Sequence, residues 1–187
     1  MTVSAESNFS WKSKFTGSGC MSQECIIRKA RFDQSLPPDA PDNADVMAIH
    51  NLLRVYAEEH LLLPRPPEDI LEKIKNFRIA EVNGKFAGCA ALRDYGNALY
   101  EVRSLAVVKE YTGCRIGSKL VSGFIEEKRK EGTPAKIFAL TYRDNFFCNL
   151  GFRIVEKDMF PEKIWSDCIL CPKKNCCDEI AVLFELD

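Results

Sequence analysis

The spacing of apolar residues along the chain predicts amphipathic helices set between short strands. From Asn43 to about Glu59 the apolar residues recur at helical spacing, at Val46, Ile49, Leu53 and Tyr56. A second long helix is predicted over residues 116–130, with one apolar face made of Ile116, Leu120, Val121, Phe124 and Ile125. Between these two, Pro67 begins a shorter predicted helix, because proline suits the first helical turn.

Shorter apolar runs predict the strands. The runs FRIAEV, KFAGCAAL and ALYEVRSLAVV predict an antiparallel meander from Phe77 to Val108, with a hairpin at Asn83-Gly84. CIIRKAR is predicted as the first strand, KIFALTY as a buried one, and FRIVE and EIAVLFEL as late strands. A short helix over RDNFFCNLGF ends at Gly151. The order predicts a mixed α/β sheet in one domain over residues 25–187, after a loose tail over residues 1–24.

Composition and charge narrow the class of protein. The chain has 187 residues, of which 46% are hydrophobic and 28% charged, as expected for a domain with a substantial core. A net charge of -1 argues against nucleic-acid binding, and no apolar run is long enough to span a membrane. The N-terminal residues lack an apolar export segment, so we expect a cytoplasmic protein whose nine cysteines are reduced thiols.

The stretch YTGCRIGSKL, from Tyr111 to Leu120, combines a turn that contains glycine with the start of a helix. The first amides of a helix have no intrahelical partner, and the helix dipole favours an anion beside them. Such a turn after a strand is a phosphate-binding device. A plain strand-to-helix turn is the alternative that these ten residues leave open.

The order of elements, together with EVRSLAVVKEYTGCRIGSKLV and NFFCNLGF, resembles the GNAT superfamily of acetyl-CoA-dependent N-acetyltransferases. The resemblance implies a mixed, mostly antiparallel sheet flanked by helices. It also implies that acetyl-CoA binds with its pantetheine arm along the strand and its pyrophosphate on the turn. The residues at those positions are Leu105, Ala106, Val107, Gly113, Cys114, Arg115, Ile116, Gly117 and Ser118.

A narrower resemblance concerns the acceptor. LLLPRP, VNGKFAGCAAL, KIFALTYR and FPEKIWSDCILCPKKNCCDEIA occur in the order found in the short bacterial N-acetylglutamate synthase type of arginine biosynthesis. This resemblance implies acetyl transfer to the α-amine of glutamate or a close relative. Another small amine as acceptor, a non-catalytic acyl-CoA-binding regulatory domain and a metal-binding interaction protein are the alternatives.

The chain departs from the family pattern at three positions. The usual turn is Arg/Gln-x-x-Gly-x-Gly/Ala, and here Thr112 replaces the first residue and Arg115 the first glycine. A guanidinium at Arg115 either adds charge for the pyrophosphate or blocks the approach to the backbone. Phe147 stands where many members place a tyrosine that protonates the leaving thiolate.

Candidate residues for the chemistry lie on both sides of the turn. Glu101 is the candidate general base and Tyr142 the candidate acid, although an exposed strand carboxylate and a sheet-edge aromatic are the plainer interpretations. A glutamate substrate has two carboxylates and needs cationic partners. The candidate partners are Arg65, Arg103, Arg143 and Lys163, each of which is otherwise a solvated surface cation.

The late cysteines raise the question of a metal. Cys168-x-x-Cys171 followed by Cys176 and Cys177 has four thiols that could bind zinc, but adjacent cysteines rarely both reach one ion. We therefore expect no metal and a thiol-lined substrate loop. The expected partner is a small amino-acid substrate, with no nucleic acid or membrane and with a homo-oligomer possible. Cys89 and Cys148 are predicted to be small core residues.

Overall fold

The structure is a computed structural model that describes residues 24–166, 169 and 175–187. The chain divides into two compact units. The first unit comprises the residues up to Ala90 together with Ser104–Leu120, and the second comprises Ala91–Arg103 together with Val121–Asp187. The predicted N-terminal tail lies outside the described residues, apart from Glu24.

Seven strands and five α-helices make up the described part of the chain. The strands are β1 (Cys25–Lys29), β2 (Phe77–Val82), β3 (Lys85–Asp94), β4 (Leu99–Val107), β5 (Ala135–Thr141), β6 (Arg153–Val155) and β7 (Ile180–Leu186). The helices are α1 (Ala44–Glu58), α2 (Pro67–Glu72), α3 (Ile116–Glu131), α4 (Asp144–Cys148) and α5 (Pro161–Ser166). The strand order is β1-β2-β3-β4-β5-β7-β6. The mixed, mostly antiparallel sheet with helices is confirmed.

The first unit begins with an antiparallel pair of strands and one long helix. β1 pairs with β2 from Cys25↔Val82 to Lys29↔Arg78, and the predicted hairpin after β2 has positive φ at Asn83 (51°) and Gly84 (75°). The predicted apolar face of α1 is buried at Val46, Ile49 and Leu53. The side chain of Asn43, fully buried before α1, donates to the carbonyls of Asp33 and Pro37.

An ion cluster holds α1 against this strand pair. The Arg28 guanidinium donates to Asp45 on α1 and to Glu81 on β2, with a bond of 2.9 Å from Nε to Oε1 of Glu81. Burial alone would raise the pKa of Asp45, but the hydrogen bonds from Arg28 and from the Arg31 amide outweigh it and lower the pKa. Partial burial alone would lower the pKa of Arg28, but its contacts with Asp45 and Glu81 raise it. Both groups therefore stay charged at neutral pH.

Gly88 in β3 allows the backbone of β4 to come close. A Cβ atom added to Gly88 would lie 2.7 Å from the carbonyl oxygen of Ala106 and 3.3 Å from Cα of Val107. A residue with a Cβ atom does not fit there unless the backbone of β4 moves. Gly88 thus supports the strand segment that the sequence analysis assigns to the cofactor.

The second unit is built around the late strands. β4 and β5 are parallel from Leu99↔Lys136 to Glu101↔Phe138, and β5 pairs antiparallel with β7 as far as Thr141↔Ile180. β6 pairs with the other side of β7. On one face the side chains of Phe138 and Phe160 stack with ring centroids 4.0 Å apart. Their buried cluster also contains Leu99, Ala181 and Leu183.

Two expectations about cysteines are wrong. Cys148 is exposed at the end of α4, because only Phe147 of that helix turns inward, whereas Cys89 is buried as expected. Cys114 is disulfide-bonded rather than reduced, and the free thiols among the described residues are Cys25, Cys89, Cys148, Cys176 and Cys177. Within the described residues, no helix combines the length and the apolar character that crossing a membrane requires.

Two glycines provide a matched test of the close contact between β3 and β4. Gly88→Ala is expected to lower the free energy of unfolding by about 1–3 kcal/mol, the typical cost of overpacking. Gly123→Ala, inside α3 with nothing within 4 Å of its added Cβ, is expected to raise it by about 0.5–1 kcal/mol through helix propensity. Urea unfolding of both variants measures the two effects. Equal stability of Gly88→Ala and the parent would contradict the close approach.

Candidate active site

The turn after β4 leads into the first amides of α3. A single 3-10 turn at Lys109–Tyr111 and Gly113, with φ of 84°, lead into α3, which begins at Ile116. The Lys119 amide donates to the carbonyl of Arg115 at 3.0 Å, which is the first bond of the helical ladder. The amides of Ile116, Gly117 and Ser118 therefore precede that ladder, at the positive end of the helix dipole. This arrangement suits a phosphate group.

Arg115 occupies a backbone conformation that favours glycine. Its φ is 58°, in the left-handed region, and its side chain is exposed. A residue with a Cβ is strained in this region by roughly 1–2 kcal/mol. The structure therefore gives a physical reason for the glycine at this position of the family pattern. Arg115 adopts this conformation directly before α3, which begins at Ile116.

The end of β4 is fixed from several sides within the first unit. The Tyr56 hydroxyl on α1 donates to the carbonyl of Val107 at 2.6 Å. The Val108 amide donates to the carbonyl of Ala87 at 2.9 Å. Ser104 has a φ of 52° inside the strand, a left-handed conformation of the kind found at β-bulges. Sequence reasoning missed Ser104, because a serine within an apolar run carries no signal for positive φ.

Beyond Ser104 lie the strand residues assigned to the pantetheine arm. Ala106 is buried, and Leu105 and Val107 are half-buried. These three residues and the turn therefore belong to one continuous segment of the first unit.

Glu101 lies at the centre of a buried charged cluster in the second unit. Its side chain is only 4% exposed, and Oε1 accepts from Lys163 Nζ of α5 at 2.8 Å. Oε2 accepts from the Tyr95 hydroxyl at 2.9 Å and lies 3.7 Å from Nη1 of Arg103. The structure thus brings three of the predicted site residues together, and it adds Tyr95, which sequence reasoning missed.

Glu179, just before β7, is a second carboxylate of this cluster and was also missed. Burial raises the pKa of Glu179. The charges of Lys163 and Lys157 lower this pKa, and those of Glu101 and Asp178 raise it. Lys157 donates to the carbonyl of Cys177 at 2.9 Å, and the Cys177 thiol lies 3.9 Å from Oε2 of Glu179. The only sequence signal was an acidic residue directly before an apolar strand.

The remaining candidates are placed as follows. Tyr142 and Arg143 directly follow β5, where Tyr142 is half-buried and Arg143 exposed. Arg65, in the first unit, donates to Oδ2 of Asp69 at 2.6 Å, and its carbonyl lies 2.9 Å from Nδ1 of His50. Burial alone would raise the pKa of Asp69, but its pKa is lowered, because Lys73 and Arg65 together outweigh that effect.

Phe147 has a structural role. It is 4% exposed and makes edge-to-face contacts with Phe146 and Phe152, at centroid distances of 5.0 and 5.1 Å. A hydroxyl at this position would enter an aromatic cluster. For metals, no group of three or more His, Cys, Asp or Glu side chains within the described ranges is placed to bind an ion. Cys168 and Cys171 lie outside those ranges.

Comparisons with known proteins identify the family. Residues 73–154 match the acetyltransferase (GNAT) domain. An N-acetyltransferase of Chlorobaculum tepidum, whose name marks it as uncharacterized, is 41% identical over 140 residues that cover 75% of this chain and 90% of that protein. An amino-acid acetyltransferase of Mycobacterium tuberculosis is 33% identical over 134 residues, 70% of each chain.

The fold agrees with these relatives. N-acetylglutamate synthase from Neisseria gonorrhoeae, complexed with coenzyme A and N-acetyl-glutamate, superimposes with a TM-score of 0.71 and 27% identity. The match covers 87% of this chain and 35% of the synthase, so the chain spans about a third of that protein's length. The sequence identity, the matched domain and the shared fold all lead to one assignment: this chain belongs to the GNAT family of N-acetyltransferases.

Proposed function

We propose that the protein transfers the acetyl group of acetyl-CoA to the α-amine of a small amino acid, with glutamate as the leading candidate. The observation that carries the proposal is the turn from Gly113 to Ser118, where the first amides of α3 follow a strand that Gly88 allows to pack closely. Relatives named amino-acid acetyltransferase support the class of acceptor. The synthase complexed with coenzyme A and N-acetyl-glutamate supports glutamate as the acceptor.

In this proposal the first unit binds the cofactor. The amides of Ile116, Gly117 and Ser118 donate to the pyrophosphate, and the exposed guanidinium of Arg115 adds charge to it. The pantetheine arm lies along Leu105, Ala106 and Val107. An amide of this segment polarises the thioester carbonyl and stabilises the oxyanion that forms on it.

The charged cluster of the second unit serves the acceptor. Lys163 and Arg103 attract a carboxylate, and Glu101 holds both cations in place. Arg143 makes no ion pair with any residue in the described ranges, so its charge is available for a second carboxylate. Tyr142 follows β5 and is the candidate donor of a proton to the leaving thiolate, since Phe147 has no proton to give.

An acceptor panel tests the proposed reaction. Release of free coenzyme A thiol from acetyl-CoA is followed with glutamate, glutamine, aspartate, lysine and simple amines as acceptors. Glutamate is expected to give the highest kcat/KM, and mass spectrometry should find the acetyl group on its α-nitrogen. A higher kcat/KM for another amino acid would replace glutamate as the acceptor and leave the proposed acetyl transfer intact. No turnover on any amine would contradict the proposed acetyl transfer.

Arg115 tests whether the altered turn binds the cofactor. Arg115→Ala is expected to weaken acetyl-CoA binding by about 0.5–3 kcal/mol, the range for a charge-assisted contact. Arg115→Gly removes the same charge but relieves the positive φ, so it should bind as weakly while raising the free energy of unfolding by about 1 kcal/mol. Calorimetric titration and urea unfolding separate the two effects. Tighter binding by Arg115→Gly would show that the side chain obstructs the site.

Arg65 tests the contribution of the first unit to acceptor binding. Arg65→Ala is expected to raise KM for glutamate with little change in kcat, because the contact holds substrate and transition state alike. Arg65→Lys should recover only part of the loss, since an ammonium cannot form a two-pronged contact. Arg54→Ala is the matched control, because Arg54 makes the same i,i+4 type of ion pair with Glu58 on an exposed face of α1. Parent-like kcat/KM in Arg65→Ala would remove this residue from the site.

A further inference from the structure

The second unit contains two carboxylates that interact, Glu101 on β4 and Glu179 directly before β7. Leu99 of β4 and Ala181 of β7 both belong to the buried cluster around Phe138 and Phe160. Side chains alternate along a strand, so Glu101 lies on the same face as Leu99. Glu179 directly precedes β7, and the charge of Glu101 acts on it.

The surroundings of the two carboxylates differ. Both oxygens of Glu101 have close donors, namely Lys163 at 2.8 Å and Tyr95 at 2.9 Å, and Arg103 lies near. Glu101 therefore has both carboxylate oxygens occupied by neighbouring donors. Its geometry suits a group that orients its cations.

Glu179 has the complementary properties. It is half-buried at the end of β5, beyond the last β4–β5 pair at Glu101↔Phe138, where β5 pairs with β7 alone. The Cys177 thiol lies 3.9 Å from its Oε2. The charged groups that act on it are Lys163 on α5, Lys157 on the segment before α5, Glu101 on β4 and its neighbour Asp178.

We propose that Glu179 is the general base that takes a proton from the acceptor amine, and that Glu101 is a positioning residue that orients Lys163 and Arg103. This inference rests on the proposed acetyl transfer. Burial raises the pKa of Glu179 towards the operating pH, which is the condition for an effective base.

The protons and electrons of the step balance. The α-ammonium group of the acceptor gives one proton to the Glu179 carboxylate, directly or through a water molecule, and Glu179 returns it to solvent. The neutral nitrogen donates its electron pair to the thioester carbonyl carbon, the C–S bond breaks, and sulfur leaves with the bonding pair. Tyr142 gives its hydroxyl proton to the thiolate, and the nitrogen then gives its second proton to the Tyr142 oxygen.

The test is the pH profile of kcat/KM for the best acceptor of the panel. The parent should lose activity towards acid as Glu179 becomes protonated. Glu179→Gln should lower kcat/KM at neutral pH by roughly 10²- to 10⁴-fold, the usual contribution of a general base, and abolish this acidic limb. Glu101→Gln should raise KM and keep the limb. If Glu179→Gln keeps the loss of activity at acidic pH while the parent is active, Glu179 is not the general base. The proposed acetyl transfer would still stand in that case.

Two neighbouring substitutions should move the limb in opposite directions. Lys157→Met removes a cation that lowers the pKa of Glu179, so the limb should shift to higher pH. Asp178→Asn removes a carboxylate that raises this pKa, so the limb should shift to lower pH with the maximal rate retained. If neither substitution shifts the pH at which kcat/KM declines towards acid, the titrating group is not Glu179, and the proposal is contradicted.

A measurement without turnover guards against a variant that fails to fold. Carbon-13 NMR of the glutamate side-chain carboxyls follows the titration of Glu179 in the intact parent, with Asp178→Asn and Lys157→Met identifying the signal by their opposite shifts. A measured pKa of Glu179 above the ordinary range of glutamate supports its role as the general base. A measured pKa within or below that range contradicts this role. A parent that acetylates no amine of the panel would instead overturn the reaction, and this proposal with it.

Discussion

The buried ion pair between Glu101 and Lys163 is the constraint on which the second unit depends. It joins the first half of β4 to α5, directly beside the stacked rings of Phe138 and Phe160. Both side chains are nearly inaccessible, so each charge relies on the other. Removing one partner of such a pair typically costs about 3–5 kcal/mol, because the remaining charge stays buried without compensation. The cluster is therefore structural and chemical at once.

β4 connects this cluster to the segment proposed to bind the cofactor. Its residues up to Arg103 belong to the second unit, and those from Ser104 onward belong to the first. The change falls at the left-handed Ser104, where a regular strand would have continued. One strand thus supplies a carboxylate that holds cations and, a few residues later, the backbone groups proposed to meet a thioester. The covalent continuity of β4 links the two activities that the proposed reaction requires.

Local signals in the sequence predicted the elements, and non-local contacts account for what was missed. Asn83-Gly84 specifies its hairpin by itself, and the apolar face of α3 is read from spacing alone, so both were predicted correctly. The insertion of β7 between β5 and β6 was not predicted, because no local pattern encodes which strands become neighbours. The same holds for the site, where Tyr95 and Glu179 join Glu101 only through the folded sheet. The roles of all the site residues stay predictions.

The hydrogen bond from Tyr56 to the carbonyl of Val107 has a spectroscopic consequence. A carbonyl oxygen has two lone pairs, so an amide donor of a bound arm would share this oxygen with the phenol. Sharing weakens each bond to the same oxygen and alters the polarity around the phenol ring. The ultraviolet absorption of a tyrosine depends on the strength of the hydrogen bond that its hydroxyl donates. The absorption of Tyr56 would therefore respond to changes at the last residue of β4.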